Sequence, residues 1–255
     1  MYSSLNRGLR VIEVLAAEEG PLGLAEIAQR IGSSKSGVHG LLATLVHAGY
    51  VERSAGGIYR LGLKVWEVGR AVPGLRLVRL ASKVMDDLVT EVKEGAILGI
   101  LHGFDVVYVH LAESAQAVRV HAAVGDRIPA HCTSTGLALL ATLDDAHLDR
   151  VLPPRLPAFT TQTIVDQRSL RSELRRIRAR GYAINRGGWR LDVGGLAVRI
   201  NDSHGSIVAG LCIAAPLYRM TKPWIDRSAP LLMRASARIS AALDGKAASS
   251  RSAAA

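Results

Sequence analysis

Ser34, Lys35, Ser36 and His39 place two hydroxyls, an ammonium and an imidazole within six positions, just after Gly32-Ser33. Side chains of these types at this spacing meet base edges and phosphate oxygens, and Gly37 among them allows close backbone approach. Arg7, Arg53 and Arg60 add guanidinium groups suited to a phosphate backbone. A second cluster, His131-Cys132 with Ser134-Thr135, brings together an imidazole, a thiol and two hydroxyls. Read as catalysis, Cys132 or Ser134 would be the nucleophile of a hydrolase. Adjacent residues on an extended chain face opposite ways, so His131 and Cys132 form no dyad by adjacency. Neither a GxSxG elbow nor a Gly-rich phosphate loop supports the enzyme reading. A metal reading of His102, His110 and His121 lacks HxH or HxxxH spacing.

The first set depends on the elements that carry it. Leu5, Leu9, Ile12 and Leu15-Ala16 recur at helical spacing and predict an amphipathic helix over 5–17, which Gly20-Pro21 breaks. A second helix over 24–31 buries Leu24, Ile27, Ala28 and Ile31, and Gly32 stops it. Ser33-Ser34 supplies an N-cap hydroxyl for a third over 35–48, buried through Val38, Leu41, Leu42 and Leu45. Gly49 fits a left-handed C-cap. Tyr50-Val51-Glu52-Arg53 and Ile58-Tyr59-Arg60-Leu61 flank Ser54-Ala55-Gly56-Gly57 and predict a hairpin. Three short helices and a hairpin are the order of a winged helix-turn-helix. There the start of the third helix, here Ser34, Lys35, Ser36 and His39, enters the major groove. Arg7 and the wing residues Arg53 and Arg60 would touch backbone or minor groove.

Helices over 63–71 and 75–92 follow, punctuated by Pro73-Gly74. A connecting helix as long as the second often docks on its own copy in a dimer. From Gly95 the pattern changes. Strands are expected at 96–102, 106–112 and 117–122, helices at 133–141, 144–152 and 166–180, strands at 182–186, 193–201 and 206–214, and a closing helix at 222–243. Strands grouped between helices predict an α+β domain with a mainly antiparallel sheet. Arg168, Arg171, Arg175, Arg176, Arg178 and Arg180 read as a solvated helix face, and the Ala/Ser-rich stretch after Asp244 as a disordered tail.

A net charge of +10 favours a polyanionic partner. Residues 1–80 hold ten Lys/Arg against six Glu, so the excess is not confined to the first domain. Charge therefore permits nucleic acid without proving it. Cys132 and Cys212 cannot build a disulfide framework and lack CxxC spacing, which suits free thiols in a reducing compartment. No apolar run reaches the ~18 residues of a membrane span, and the start lacks the pattern of a secretory signal, so a cytoplasmic protein with no membrane partner is expected.

Leu5-Asn6-Arg7-Gly8-Leu9-Arg10-Val11-Ile12, Leu24-Ala25-Glu26-Ile27-Ala28, Leu41-Leu42-Ala43-Thr44-Leu45 through Gly49-Tyr50-Val51, and Tyr59-Arg60-Leu61-Gly62 resemble the IclR family of bacterial transcription regulators. The resemblance continues through Gly125 with Ile128-Pro129-Ala130-His131, Gly136 with Ala138-Leu139-Leu140-Ala141, Arg180-Gly181-Tyr182-Ala183 and Gly205-Ser206-Ile207-Val208-Ala209. It implies a winged helix-turn-helix over 1–63, a linker helix over 64–80, a GAF-like effector domain over 81–245 and a tail over 246–255. It also implies double-stranded, palindromic operator DNA as partner, a homodimer or tetramer, a small organic acid as effector, and no cofactor. Relatives usually carry Arg just before the Leu-Leu of the third helix, where this chain has Gly40.

By the same resemblance, the effector cavity lies between the sheet and the 133–141 helix. The family's pocket positions fall on Ser134, Thr135, Asn185, Gly195, Cys212 and Ala214. Relatives that sense small keto acids often have an acidic residue, Cys and two Ser at the last four, so Asn, Gly, Cys and Ala imply a wider, more apolar cavity. An aromatic or bulky acid packed near Trp189 is expected, its charge met by Arg186, Arg190, Arg199 or His131. A small aliphatic keto acid is the alternative.

Overall fold

The computed structural model describes residues 4–18, 20–70, 73–202 and 207–252. Ala71, Ser206 and 253–255, which fall in expected elements, lie outside them. The chain forms two compact units, Met1–Leu75 and Arg76–Ala255.

The first unit holds α1 (Ser4–Ala16), β1 (Leu22–Gly23), α2 (Leu24–Ile31), α3 (Lys35–His47), β2 (Val51–Arg53), β3 (Ile58–Leu61) and α4 (Leu63–Gly69). The strands pair antiparallel in the order β1-β3-β2, so a two-residue strand before α2 completes the wing. Val11, Leu15, Ile27, Ile31, Val38, Leu42, Val51 and Tyr59 form the core. The buried face of α1 is Gly8, Val11 and Leu15. The stripe expected to face inward instead leaves Leu5 73% and Leu9 49% exposed. Two apolar stripes share this helix, and packing against α2 and α3 selects the one that the periodicity does not mark.

From its fourth residue onward, α5 (Pro73–Val92) belongs to the second unit. Proline begins this helix rather than interrupting it, as its fixed φ and missing N–H allow at a helix start. Then come β4 (Gly95–His102), β5 (Asp105–Ala112), β6 (Arg127–Pro129), α6 (Ser134–Leu140), α7 (Asp145–Val151), α8 (Gln167–Arg180), β7 (Ala183–Arg186), β8 (Val193–Asn201), β9 (Ile207–Pro216) and α9 (Lys222–Ser252). Six antiparallel strands run in the order β6-β5-β4-β9-β8-β7.

Side chains alternate across this sheet with period two. Leu211, Ile213 and Ala215 of β9 join the core formed with α5 and α9, through residues such as Met85, Leu88, Trp224 and Leu232. Cys212 and Ala214 join the opposite core, with Leu137 and Leu140 of α6 and Leu170 and Leu174 of α8.

Two expectations are corrected here. The segment 117–122 is not a strand: β6 takes the outer edge of β5 at Asp105, Val106 and Val107, with Val106 opposite Ile128, and 113–126 runs irregularly. The stretch expected to be a disordered tail continues α9 as far as Ser252. The arginines of α8 are also more engaged than a solvated face implies. Arg171 donates to Asp145 at 2.7 Å and Asp149 at 2.5 Å, and Arg178 to the carbonyls of Ala141 and Leu143, both at 2.7 Å, fastening α7 and the end of α6 to α8.

Candidate functional site

Helix α3 begins as its sequence dictates. Ser34 is extended (φ −69, ψ 148) and its Oγ accepts from Gly37 N–H at 3.2 Å. The Ser36 hydroxyl lies 3.2 Å from that of Ser34. Burial of Val38 and Leu42 turns the opposite face outward, leaving Ser34, Lys35, Ser36, His39 and Gly40 exposed. Nothing lies within 4 Å of where a Cβ at Gly40 would stand. On the wing, Arg53 sits opposite Tyr59 with its guanidinium 5.8 Å from the ring centroid. Arg60, opposite Glu52, donates from Nε to its carboxylate at 2.9 Å. Arg7 is exposed on α1. The surface thus offers Arg7, Lys35, His39 and Arg53 outward, while Ser34 and Arg60 already serve a cap and an ion pair.

In the second unit, sheet register assembles a cavity. Asn185 of β7 pairs with Gly195 of β8, which pairs with Ala214 of β9, so three positions far apart in sequence lie in one row. Above the row stands the start of α6, capped by Thr133 Oγ1, which accepts from Gly136 N–H at 3.0 Å. Gly136 lets this helix start rest on the 3-10 turn Ala130–Cys132: a Cβ there would lie 2.1 Å from the Ala130 carbonyl oxygen. The cavity encloses about 600 Å³, counting its open mouth, and is lined by Ser134, Asn185, Trp189, Gly195, Cys212 and Ala214 among others. Ile97, Tyr108, Val120 and Ile128 give it further apolar wall. Burial pushes the Tyr108 hydroxyl pKa up, helped by the nearby Cys212, Cys132 and Asp126.

Thr135 and His131 are not among the lining residues. The methyl of Thr135 instead packs 3.0 Å from a Cβ position at Gly99 and 2.8 Å from one at Gly210, on the sheet. His131 is fully buried, stacked on Phe104 at 5.0 Å, with Nε2 2.9 Å from the Pro157 carbonyl oxygen. Burial lowers its pKa, although the bond to Pro157 acts the other way. A neutral ring behind the wall is not positioned to meet a ligand's charge. Of the four cations considered for that role, only Arg190 lines the cavity. Arg186 donates to the Met220 carbonyl at 2.8 Å, and Arg199 lines a separate small cleft with Arg178.

Gly195 does not widen the cavity as expected. A Cβ there would lie 2.6 Å from Ser134 Oγ and 3.1 Å from Cys212 Sγ, so those two side chains occupy the vacated space. The facing wall is formed by Tyr108 and by Val120, His121, Ala122 and Asp126 of the irregular 113–126 segment. Tyr108 could have been found by its period-two alternation on β5; the 113–126 segment carried only a misleading strand pattern.

The thiols are poor nucleophiles. Burial pushes Cys132 up to about 12 and Cys212 up to about 11, so both stay protonated at neutral pH. Among the described residues no group of three or more His, Cys, Asp or Glu could hold a metal ion, and no helix is long and apolar enough to cross a membrane.

The IclR helix-turn-helix domain model matches residues 4–55, and the bacterial transcriptional regulator IclR C-terminal model matches residues 69–241. The chain belongs to the IclR family. Among IclR relatives, the HTH-type transcriptional regulator KdgR of Escherichia coli is 31% identical over 243 residues, 93% of this chain and 92% of that one. The Pca regulon regulatory protein of Pseudomonas putida is 32% identical over 238 residues, 92% and 81% of the two chains. In structure, an IclR homolog from Microbacterium hydrocarbonoxydans complexed with 4-hydroxybenzoate superposes with a TM-score of 0.81 at 29% identity, covering 94% of this chain and 99% of that one. IclR of Thermotoga maritima gives 0.76 at 25% identity, covering 94% and 98%. The chain is therefore a DNA-binding transcription regulator of the IclR type and not an enzyme, and the hydrolase alternative falls.

Proposed function

We propose that this IclR-type regulator senses an aromatic carboxylic acid in the cavity of its second unit and that occupancy alters operator binding. The carrying observation is the pairing of an apolar cavity, walled by Ile97, Tyr108, Val120, Ile128 and Trp189, with Arg190 on its lining, where His121 and Asp126 also stand. Apolar walls with a few placed polar groups are the usual form of a small-molecule site. An aromatic ring fills such walls, whereas a two- or three-carbon keto acid leaves most of them unsatisfied. The Microbacterium hydrocarbonoxydans homolog was crystallised with 4-hydroxybenzoate, which supports this choice of class.

On DNA, Lys35, Ser36 and His39 enter the major groove, with Ser34 fixing the helix start, and Arg7, Arg53 and Arg60 follow the backbone. The regulator acts as a homodimer or tetramer on an operator in the cytoplasm. Exposed Leu63 and Trp66 on α4, a helix with no buried residue, support a protein contact there. A ligand favouring one arrangement over another shifts operator affinity by a coupling of typically about 1–3 kcal/mol.

Thermal unfolding of the full chain against benzoate, 4-hydroxybenzoate, phenylacetate, pyruvate and glyoxylate tests the effector class. At 100 times its dissociation constant a true ligand adds about 2.7 kcal/mol, a shift of several degrees. Shifts with the aromatic acids are expected; a shift with the keto acids alone overturns the reading.

A further inference from the structure

Arg219 occupies the 3-10 turn Leu217–Arg219 that follows β9. Its Nη1 donates to Glu94 Oε1 at 2.8 Å, and its Nη2 donates to the Val118 carbonyl at 3.1 Å and the Tyr218 hydroxyl at 2.9 Å. Glu94 is buried just past the end of α5, and its second oxygen has no hydrogen-bond partner. Between them, Lys93 holds a left-handed φ of 63, and its carbonyl accepts from Ser114 Oγ at 2.7 Å. Two bonds thus tie the end of α5 to the irregular 113–126 segment: Ser114 to Lys93, and Val118 through Arg219 to Glu94. That segment supplies Val120, His121 and Ala122 to the cavity wall.

The same 3-10 turn is fastened to the opposite wall. Leu217 N–H donates to the Asp192 carbonyl at 2.7 Å, and Arg186 reaches the Met220 carbonyl at 2.8 Å. Arg186 and Asp192 bracket the turn that carries Trp189 and Arg190. Beside the same segment a second, smaller cleft of about 370 Å³, counting its open mouth, is lined by Leu111, Arg119, Val120 and Ala214. Val120, His121 and Ala122 of the segment border both openings, and the segment forms no strand, so the fastenings described help to hold its position.

We propose that the Arg219–Glu94 pair is the junction through which both walls of the cavity and the end of α5 move together. Taken with the effector reading above, on which its regulatory meaning rests, it gives cavity occupancy a route into the helix that leads back to the first unit. A buried carboxylate cannot release its guanidinium without leaving a charge uncompensated. Opening one wall therefore strains the others. Arg219 is a positioning residue for Trp189, Arg190 and the 113–126 segment.

Amide hydrogen exchange of the full chain, with no ligand added, tests this. The double variant Glu94→Gln/Arg219→Gln removes both charges and leaves neither stranded, so it retains the fold. Lys93, Gln116 and Leu217 report on the three joined segments through amides bonded to Val89, Ser114 and Asp192. All three are expected to exchange at least tenfold faster than wild type, while amides at the centre of β8 and β9 keep their rates. Acceleration at only one or two of the three, no acceleration, or a parallel increase throughout the sheet overturns the junction. Because no ligand enters the experiment, failure of the aromatic acids in the thermal assay counts against the effector reading alone.

Discussion

The Ser134 hydroxyl and the Cys212 thiol lie 3.2 Å apart, directly over the backbone of Gly195. The contact joins α6 to β9 across a position where β8 carries no side chain. Gly195→Ala would drive a methyl to 2.6 Å from Ser134 Oγ. Overpacking of this kind costs about 1–3 kcal/mol, read as a lower urea midpoint at unchanged m-value. Adding Ser134→Ala should recover part of the loss, since the two positions are coupled. Equal stability of Gly195→Ala and wild type would contradict the packing described.

Gly40 stands in the interior of α3, exposed, with open space where its side chain would begin. Glycine there costs about 0.8–1.0 kcal/mol of helix stability relative to alanine. Gly40→Arg is expected to stabilise the first unit by about that amount and to tighten operator binding. One added phosphate contact should steepen the slope of log affinity against log salt by about 0.9. Titrations at several salt concentrations measure this; an unchanged slope would place residue 40 away from the DNA.

His131 gives stability a pH dependence of known sign. Burial lowers its folded pKa below 6.5. Between those values the unfolded chain binds more protons, so stability is full above pH 6.5 and falls as pH drops toward the folded pKa. The slope reaches at most about 1.4 kcal/mol per pH unit. His131→Gln should lose this slope while keeping a donor for the Pro157 carbonyl. Denaturation of both proteins across that window checks it, and parallel profiles would contradict it.

Most helices were legible because their starts are written locally. Ser34, Thr133, Asp144 and Asp166 all accept a bond from the amide three residues on, and each of these starts falls within one residue of the sequence reading. Strands that alternate between two cores were legible for a similar reason, as at Leu211, Cys212 and Ile213. What escaped depended on distant partners. Val118 and Val120 alternate with Arg119 and His121 like a strand, but no local pattern tells that β6 already holds the edge of β5. Leu5 and Leu9 mark a helix correctly and its buried face wrongly, because the neighbouring helices choose that face. In the cavity, the resemblance placed Asn185, Gly195 and Ala214 on the lining but not Tyr108 or the 113–126 wall.

Calorimetric titration of 4-hydroxybenzoate into wild type and Arg190→Gln tests the central claim most directly. The account predicts saturable binding to wild type and at least tenfold weaker binding to the variant, equivalent to about 1.4 kcal/mol for the guanidinium–carboxylate contact. Equal affinities would remove Arg190 from the site, and no binding to either protein would contradict an aromatic acid as the signal.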